Sequence, residues 1–309
     1  MTIRNLEVNP VLLKKIQSIF KVNKTAYLFL FPALLIFGIF FIYPNIHVFY
    51  LSFFRWAGIS PHKFFIGFGN YRKLFFEDTI WVKALINTAI IAVQSICIQL
   101  SIALALAIIL NKKIKGAGIF NSIIFSPLII SLVAIAMVWT WMYNPEFGLI
   151  NNLLNKVGLG MLAQEWLGNP KTALFSVIIA GNWVYIGLYV VIFTAGLKSI
   201  SKNIFDAARV DGLSELQIAR CITVPLLKEV IAVTIIMSIT GSFKAFDLIW
   251  VMTYGGPAHA TEIAASHLYR MGFRRLEAGY ASAIGVIIFF ICLIAIAIQL
   301  RIMRVKIAK

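Results

Sequence analysis

The chain has 309 residues, 61% of them apolar and only 13% charged, with a formal net charge of +16. A soluble domain is roughly half apolar and about a quarter charged, so this excess of apolar surface excludes a single water-soluble core and points to lipid as the solvent. The positive charge does not read as a nucleic-acid patch, because most lysines and arginines fall in short segments between apolar blocks, where they set topology.

A membrane-crossing helix needs about 20 mostly apolar residues. Six stretches qualify: 27–50, 84–110, 119–143, 172–196, 227–251 and 279–300. The expected fold is therefore all-α and integral to the membrane, with about six transmembrane helices. The first stretch is longer than the apolar region of a signal peptide and no small-residue cleavage site follows it, so it reads as a retained helix. The organisation predicted is an N-terminal segment (1–26), a six-helix domain (27–300) with its core at 84–300, and a short tail (301–309).

Basic residues orient the helices. Sixteen lie in the N-terminal segment (Arg4, Lys14, Lys15, Lys21, Lys24), after span two (Lys112, Lys113, Lys115), after span four (Lys198, Lys202, Arg209, Arg220) and in the tail (Arg301, Arg304, Lys306, Lys309). Ten lie in the three other, longer connections. The excess places both termini and the 198–225 loop in the cytoplasm. The outer connections are long for bare loops and are expected to hold short interfacial helices.

Polar residues within the spans need a partner or a path to water. On span two, Asn87, Gln94 and Ser101 recur by sevens and read as helix–helix contacts. On span four, Asn182, Tyr185 and Tyr189 share a face. On span five, Thr234, Ser238 and Ser242 recur by fours, with Gly241 beside them. These two faces fit either helix–helix bonding or a midplane pocket in which aromatic rings stack on sugars and polar groups bond their hydroxyls. Lys244 and Asp247 lie near the outer end of span five, where a three-residue spacing lets a structural ion pair form; a gate contact or an anionic-substrate handle is the alternative.

In the 198–225 loop, Ser201 or Asn203 can cap a helix, Asp206 is expected in its first turn, and Ala207 and Ala208 are expected to make one face small. Gly212 suits the left-handed turn that ends it, Ser214 with Glu215 can start a second helix, and Pro225 marks the entry to span five. A short rigid helix followed by a tight turn suits either a docking lever or a plain amphipathic loop.

The run Asp206-Ala207-Ala208-Arg209-Val210-Asp211-Gly212, followed by Val224-Pro225, resembles the EAA loop of binding-protein-dependent ABC importer permeases. It departs from that pattern at Asp206 (usually Glu), Leu213 (usually Ala) and Val224 (usually Leu). The stretches Thr253-Tyr254-Gly255-Gly256-Pro257-Ala258-His259-Ala260-Thr261 and Gly279-Tyr280-Ala281-Ser282-Ala283 resemble the TxGGPxxxT and GYASA motifs of the carbohydrate-uptake (maltose and glycerol-3-phosphate type) branch. Gly67-Phe68-Gly69-Asn70-Tyr71, Asn87-Thr88, Trp183 and Ala195-Gly196-Leu197 fit the same branch, in order.

That resemblance implies a type I importer permease in a bacterial-type inner membrane. It implies that Asp206, Ala207, Ala208, Asp211, Gly212, Leu213 and Pro225 dock on an ATPase, and it favours Tyr185, Ser238 and Ser242 as the substrate path, to which Asn182 and Tyr189 are added as candidates because they share the face of Tyr185. It further implies two ATP-binding subunits carrying ATP and Mg, a second homologous permease, an extracellular solute-binding protein and a carbohydrate substrate. The chain itself is expected to be no enzyme and to hold no cofactor or metal. It has no G-x-x-x-x-G-K-[ST] phosphate loop, no HExxH and no GxSxG, and Cys97, Cys221 and Cys292 are too far apart for a zinc or disulfide framework. A self-sufficient ion-coupled secondary transporter is the alternative; it needs buried carboxylates within the spans, which hold almost none besides Asp247.

Overall fold

The computed structural model describes residues 24–112 and 116–307; the expectations placed on 1–23, 113–115 and 308–309 lie outside the described residues. Residues 1–50 and 51–309 form two units. In the first, helical segments Lys24–Phe37 and Tyr43–Leu51 are joined by a π-helical turn, Gly38–Ile42, and the apolar span Leu28–Leu51 has its side chains largely exposed, as a lipid-facing helix does.

In the second unit, four helices are long and apolar enough to cross a membrane: Thr79–Leu110, Ala173–Lys198, Lys228–Thr253 and Ala278–Arg301. With span one they match the sequence expectation to within a few residues. Span three does not run straight. It splits into Gly118–Ile129 and Leu132–Met142, bent by 99°. Pro127 cannot donate a helical N–H, the chain narrows to a 3₁₀ turn over Ser126–Ile129, and Ile130 and Ser131 are extended. The single helix expected over 119–143 is thus two half-length helices meeting at an elbow.

Small residues set where helices meet. Ala103 and Ala107 of span two are fully buried against Tyr189, Val190, Phe193 and Leu197 of span four. Gly187 lets span four pass the elbow: a Cβ there would lie 2.2 Å from the carbonyl oxygen of Ile124. Lipid gives helices no hydrophobic reason to associate, so close contact of this kind carries the association. The second half of span three packs through Ile135, Ala136 and Trp139 on Val177, Ala180 and Val184 of span four and on Ile249 and Met252 of span five.

At the end of the unit away from the 198–225 loop, the connections hold the short helices expected there: Gly69–Phe76, Leu149–Lys156 and Ala264–Tyr269. A two-residue antiparallel ribbon, Phe54–Arg55 with Phe64–Phe65, lies against the start of span six, where Gly279 leaves room for the Phe54 carbonyl.

Candidate translocation cavity and coupling knuckle

A cavity of about 310 Å³ lies among spans two, four and five. All five residues expected on a substrate path, Asn182, Tyr185, Tyr189, Ser238 and Ser242, line it, together with Gln94, Ser95, Gln99, Lys244 and Asp247. The polar groups are not equally free. Ser238 Oγ donates to Ser95 Oγ across the helix interface at 2.8 Å, and Ser242 Oγ donates to the Ser238 carbonyl at 2.9 Å. Both serines are almost wholly buried; the Ser238 hydroxyl is used as a helix–helix contact, and the Ser242 hydroxyl bonds back to its own helix. Asn182 and Gln94 exchange amide hydrogen bonds at 3.1 and 3.4 Å. Gln94 is therefore both the helix contact the sequence suggested and part of the wall. Asn87 bonds loop carbonyls instead of another span, and Ser101 is exposed. A π-helical turn over Ser95–Gln99 places Ser95 and Gln99 in the cavity wall, and Ser95 Oγ also donates to Gln99 Oε1.

Span five is interrupted beside the cavity. The helix Lys228–Lys244 ends, Ala245 turns extended (ψ 129°), and a new helix begins at Asp247. The expected Lys244–Asp247 ion pair does not form, because residues three apart face each other only on a continuous helix. Both charged side chains are exposed and line the cavity instead.

Spans four and five also border the 198–225 loop. Its helix, Lys202–Val210, starts one residue after Ser201, whose side chain makes no capping bond. Asp206 consequently sits in the second turn, not the first, within 3.2 Å of Arg209 and 4.0 Å of Lys202. The helix closes with a Schellman pair: Leu213 N–H to Ala208 C=O at 3.1 Å and Gly212 N–H to Arg209 C=O at 3.1 Å, with Gly212 left-handed at φ +81°. Ser214 caps the next turn in a box with Gln217. Ala207 faces outward but Ala208 is buried, since successive helical residues point in different directions, so the small open face is Ala207 alone. Asp206, Ala207, Asp211, Gly212 and Pro225 are exposed and Leu213 is half-buried. Glu215 joins the knuckle to the end of span two, reaching Lys112 at 3.0 Å and Arg209 at 3.2 Å; its hydrogen bonds with Lys112 and then Arg209 hold its carboxyl below the usual carboxylate range.

The opposite end is a buried polar frame that sequence reading did not assemble. Thr253 and Thr261 share a hydrogen bond of 2.7 Å across the Gly255–Gly256–Pro257 turn, which accounts for the two threonines that a plain turn leaves unexplained. The Gly256–Pro257 bond is cis. Asn87 Nδ2 donates to the carbonyls of Ala260 (3.0 Å) and Glu262 (2.8 Å), and Thr88 Oγ1 accepts from Ala264 N–H (3.0 Å). Glu262, fully buried, accepts from Arg270 (2.7 Å) and Ser266 (2.8 Å). Asp78 caps span two on Trp81 N–H and meets His267 Nε2 at 2.9 Å and Tyr280 OH at 2.6 Å. Burial alone would raise the Asp78 carboxyl, but the hydrogen bonds from His267, Tyr280 and Trp81 outweigh it and hold the group well below the carboxylate range. Asn70 Nδ2 binds the Ser52 and Phe54 carbonyls at 2.8 and 2.9 Å.

The stretches around Asn70, Asn87–Thr88, 253–261 and Tyr280, spread over some 200 positions of sequence, thus form one interlocked assembly. Residues 79–304 match the family described as binding-protein-dependent transport system inner membrane component. The probable ABC transporter permease protein YurN of Bacillus subtilis is 38% identical over 277 residues, covering 89% of this chain and 94% of YurN. The trehalose/maltose transport system permease protein MalF of Thermococcus litoralis is 31% identical over 286 residues, 92% of this chain and 95% of MalF. In fold, the chain is similar at TM-score 0.80 to a chain of a bacterial ABC transporter involved in the import of the acidic polysaccharide alginate, covering 96% of this chain and 100% of that one at 23% identity. With a multi-pass helical fold, an interlocked set of motifs and a match over most of its length, the chain belongs to the family of inner-membrane components of binding-protein-dependent transport systems.

Proposed function

We propose that this chain is the permease subunit of an ATP-driven importer for a sugar or oligosaccharide, forming half of the translocation path and drawing its energy from a separate ATPase. One observation carries the reading. Spans four and five wall the cavity and also flank the exposed Lys202–Val210 knuckle, so a displacement imposed there acts on helices that line the path. The sugar assignment leans on the name of MalF and on a wall that offers Tyr185, the Asn182–Gln94 amide pair and two charged groups. A carboxylate or an ammonium can bond sugar hydroxyls, so these charges do not require a charged substrate.

In this reading both termini and the 198–225 loop are cytoplasmic. Two ATP-binding subunits carry ATP and Mg, and one of them receives Asp206, Ala207, Asp211, Gly212, Leu213 and Pro225 of this chain, while the buried Ala208 supports them from behind. A second, similar permease completes the path, and an extracellular binding protein delivers substrate. The test is uptake and ATP hydrolysis by the reconstituted complex carrying Gly212→Trp or Asp206→Lys. The expected result is normal insertion with loss of substrate-stimulated ATP hydrolysis and of uptake. Unchanged uptake and hydrolysis would defeat the coupling assignment, and gradient-driven uptake by the chain alone, without ATP, would instead favour an ion-coupled transporter.

A further inference from the structure

Behind the knuckle lies a second cavity, of about 630 Å³, bounded by the last turn of span two, the end of span four and the helix Lys202–Val210. Its apolar wall includes Ile108, Ile200 and Phe205. Its polar wall holds four cations, Lys112, Lys198, Lys202 and Arg209, against two carboxylates, Asp206 and Glu215, leaving an excess of two positive charges. The carboxylates are already shared. Glu215 binds Lys112 and Arg209, and Asp206 binds Arg209 at 3.2 Å with Lys202 only at 4.0 Å. Lys198 has no carboxylate within 4.0 Å among the described residues.

We propose that this cavity binds the phosphate group of an anionic phospholipid headgroup, with Lys198 and Lys202 as its direct contacts. The location argues for a lipid. Lys198 is the last residue of span four and Lys202 the first of the knuckle helix, so the two ammonium groups stand where the chain changes from apolar to polar. A headgroup entering there would set its phosphate against the lysines and its glycerol and upper acyl carbons against Ile108 and Ile200. Lysine binds phosphate as a flexible point charge, which suits a cavity whose other cations, Lys112 and Arg209, already have carboxylate partners. Basic pockets between helices at the cytoplasmic surface are where anionic headgroups bind. The occupant would fill the space between knuckle and span ends. The cytoplasmic placement of this cavity, and any effect of its occupant on transport, rest on the reading given above.

The test uses the purified full-length chain in a neutral detergent, read by thermal shift and by native mass spectrometry. The probes are dihexanoyl phosphatidylglycerol, dihexanoyl phosphatidylcholine and inorganic phosphate. Phosphatidylglycerol is expected to raise the thermal midpoint and to remain bound, and phosphatidylcholine to do neither. Lys198→Gln with Lys202→Gln is expected to weaken phosphatidylglycerol at least about tenfold. Lys198→Arg with Lys202→Arg, which keeps both charges, is expected to retain it, separating lost binding from lost folding. Displacement of the lipid by inorganic phosphate supports phosphate as the recognised group, and a site that takes inorganic phosphate but not the lipid overturns the lipid source. Equal response to the two lipids, or undiminished affinity in the glutamine variant, overturns the proposal and leaves the basic wall to an acidic segment of a partner protein.

Discussion

The two ends of the second unit are built on opposite physical plans. At the end holding residues 253–280, charged and polar groups are buried and bonded to one another: Glu262 and His267 are wholly inaccessible, and Asp78 anchors both His267 and Tyr280. At the end holding residues 198–227, the charges are about half-exposed and paired in a chain across solvent, Lys112–Glu215–Arg209–Asp206. Buried hydrogen-bonded charges fix geometry, because breaking one leaves its partner stranded; exposed pairs contribute little and rearrange readily. The first end is a fixed frame. The second is an exposed surface whose charge pairs are free to rearrange.

Removing Asp78 should break that contrast most visibly. Asp78→Ala strands His267 and Tyr280 and should cost about 3–5 kcal/mol, seen as a large fall in the thermal midpoint of the purified chain. A loss near that of a surface mutation would show the frame to be no frame. Because the folded carboxyl is held below its ordinary value, its contribution is complete above the unfolded pKa of about 3.9 and is lost as pH falls towards the lowered folded value. The midpoint gap between the wild-type chain and Asp78→Asn should therefore narrow below about pH 4.

A matched pair of glycines sharpens the comparison. Gly255 and Gly212 have the same left-handed backbone, φ +82° and +81°. A Cβ on Gly255 would lie 2.5 Å from Glu262 Oε2, whereas one on Gly212 meets nothing within 4 Å. Gly212→Ala should cost only the backbone strain, about 1–2 kcal/mol, and Gly255→Ala that strain plus about 1–3 kcal/mol of crowding. Equal midpoints for the two variants would mean that the frame yields as easily as the knuckle. The smallest effect belongs to Glu215→Gln, which should leave the midpoint unmoved. Raising the salt to about 1 M, where charges are screened within about 3 Å, should speed amide exchange over 202–215 and leave 254–267 unchanged.

What the sequence disclosed follows from the range of each interaction. The knuckle was legible because its determinants are local: Gly212 for the turn and Ser214 for the next cap, although the cap's partner is Gln217 and not Glu215. The spans were legible from apolar length. The elbow in span three has a local cause, Pro127, but apolar continuity over 119–143 hid it. The break in span five has no such cue, since Ala245 and Phe246 are ordinary helical residues and the non-helical geometry is set by packing. The frame was visible as separate motifs only; Asp78 meets His267 and Tyr280 across 189 and 202 positions of chain, a juxtaposition no spacing rule reveals. In the cavity, the polar faces of spans four and five were found, while the use of Ser238 on Ser95 depended on a neighbour 143 positions away.

The interruption at Ala245 and Phe246 changes what span five is as a mechanical part. An unbroken rod pushed at one end shifts at the other, and a push at the knuckle would then pry on the frame. With a break beside the cavity, Lys228–Lys244 and Asp247–Thr253 are two separate pieces, and the second packs through Ile249 and Met252 against the second half of span three. The non-helical link between the two pieces falls at the level where Lys244 and Asp247 line the cavity, so the cavity wall is made from two short lengths of helix instead of one continuous rod.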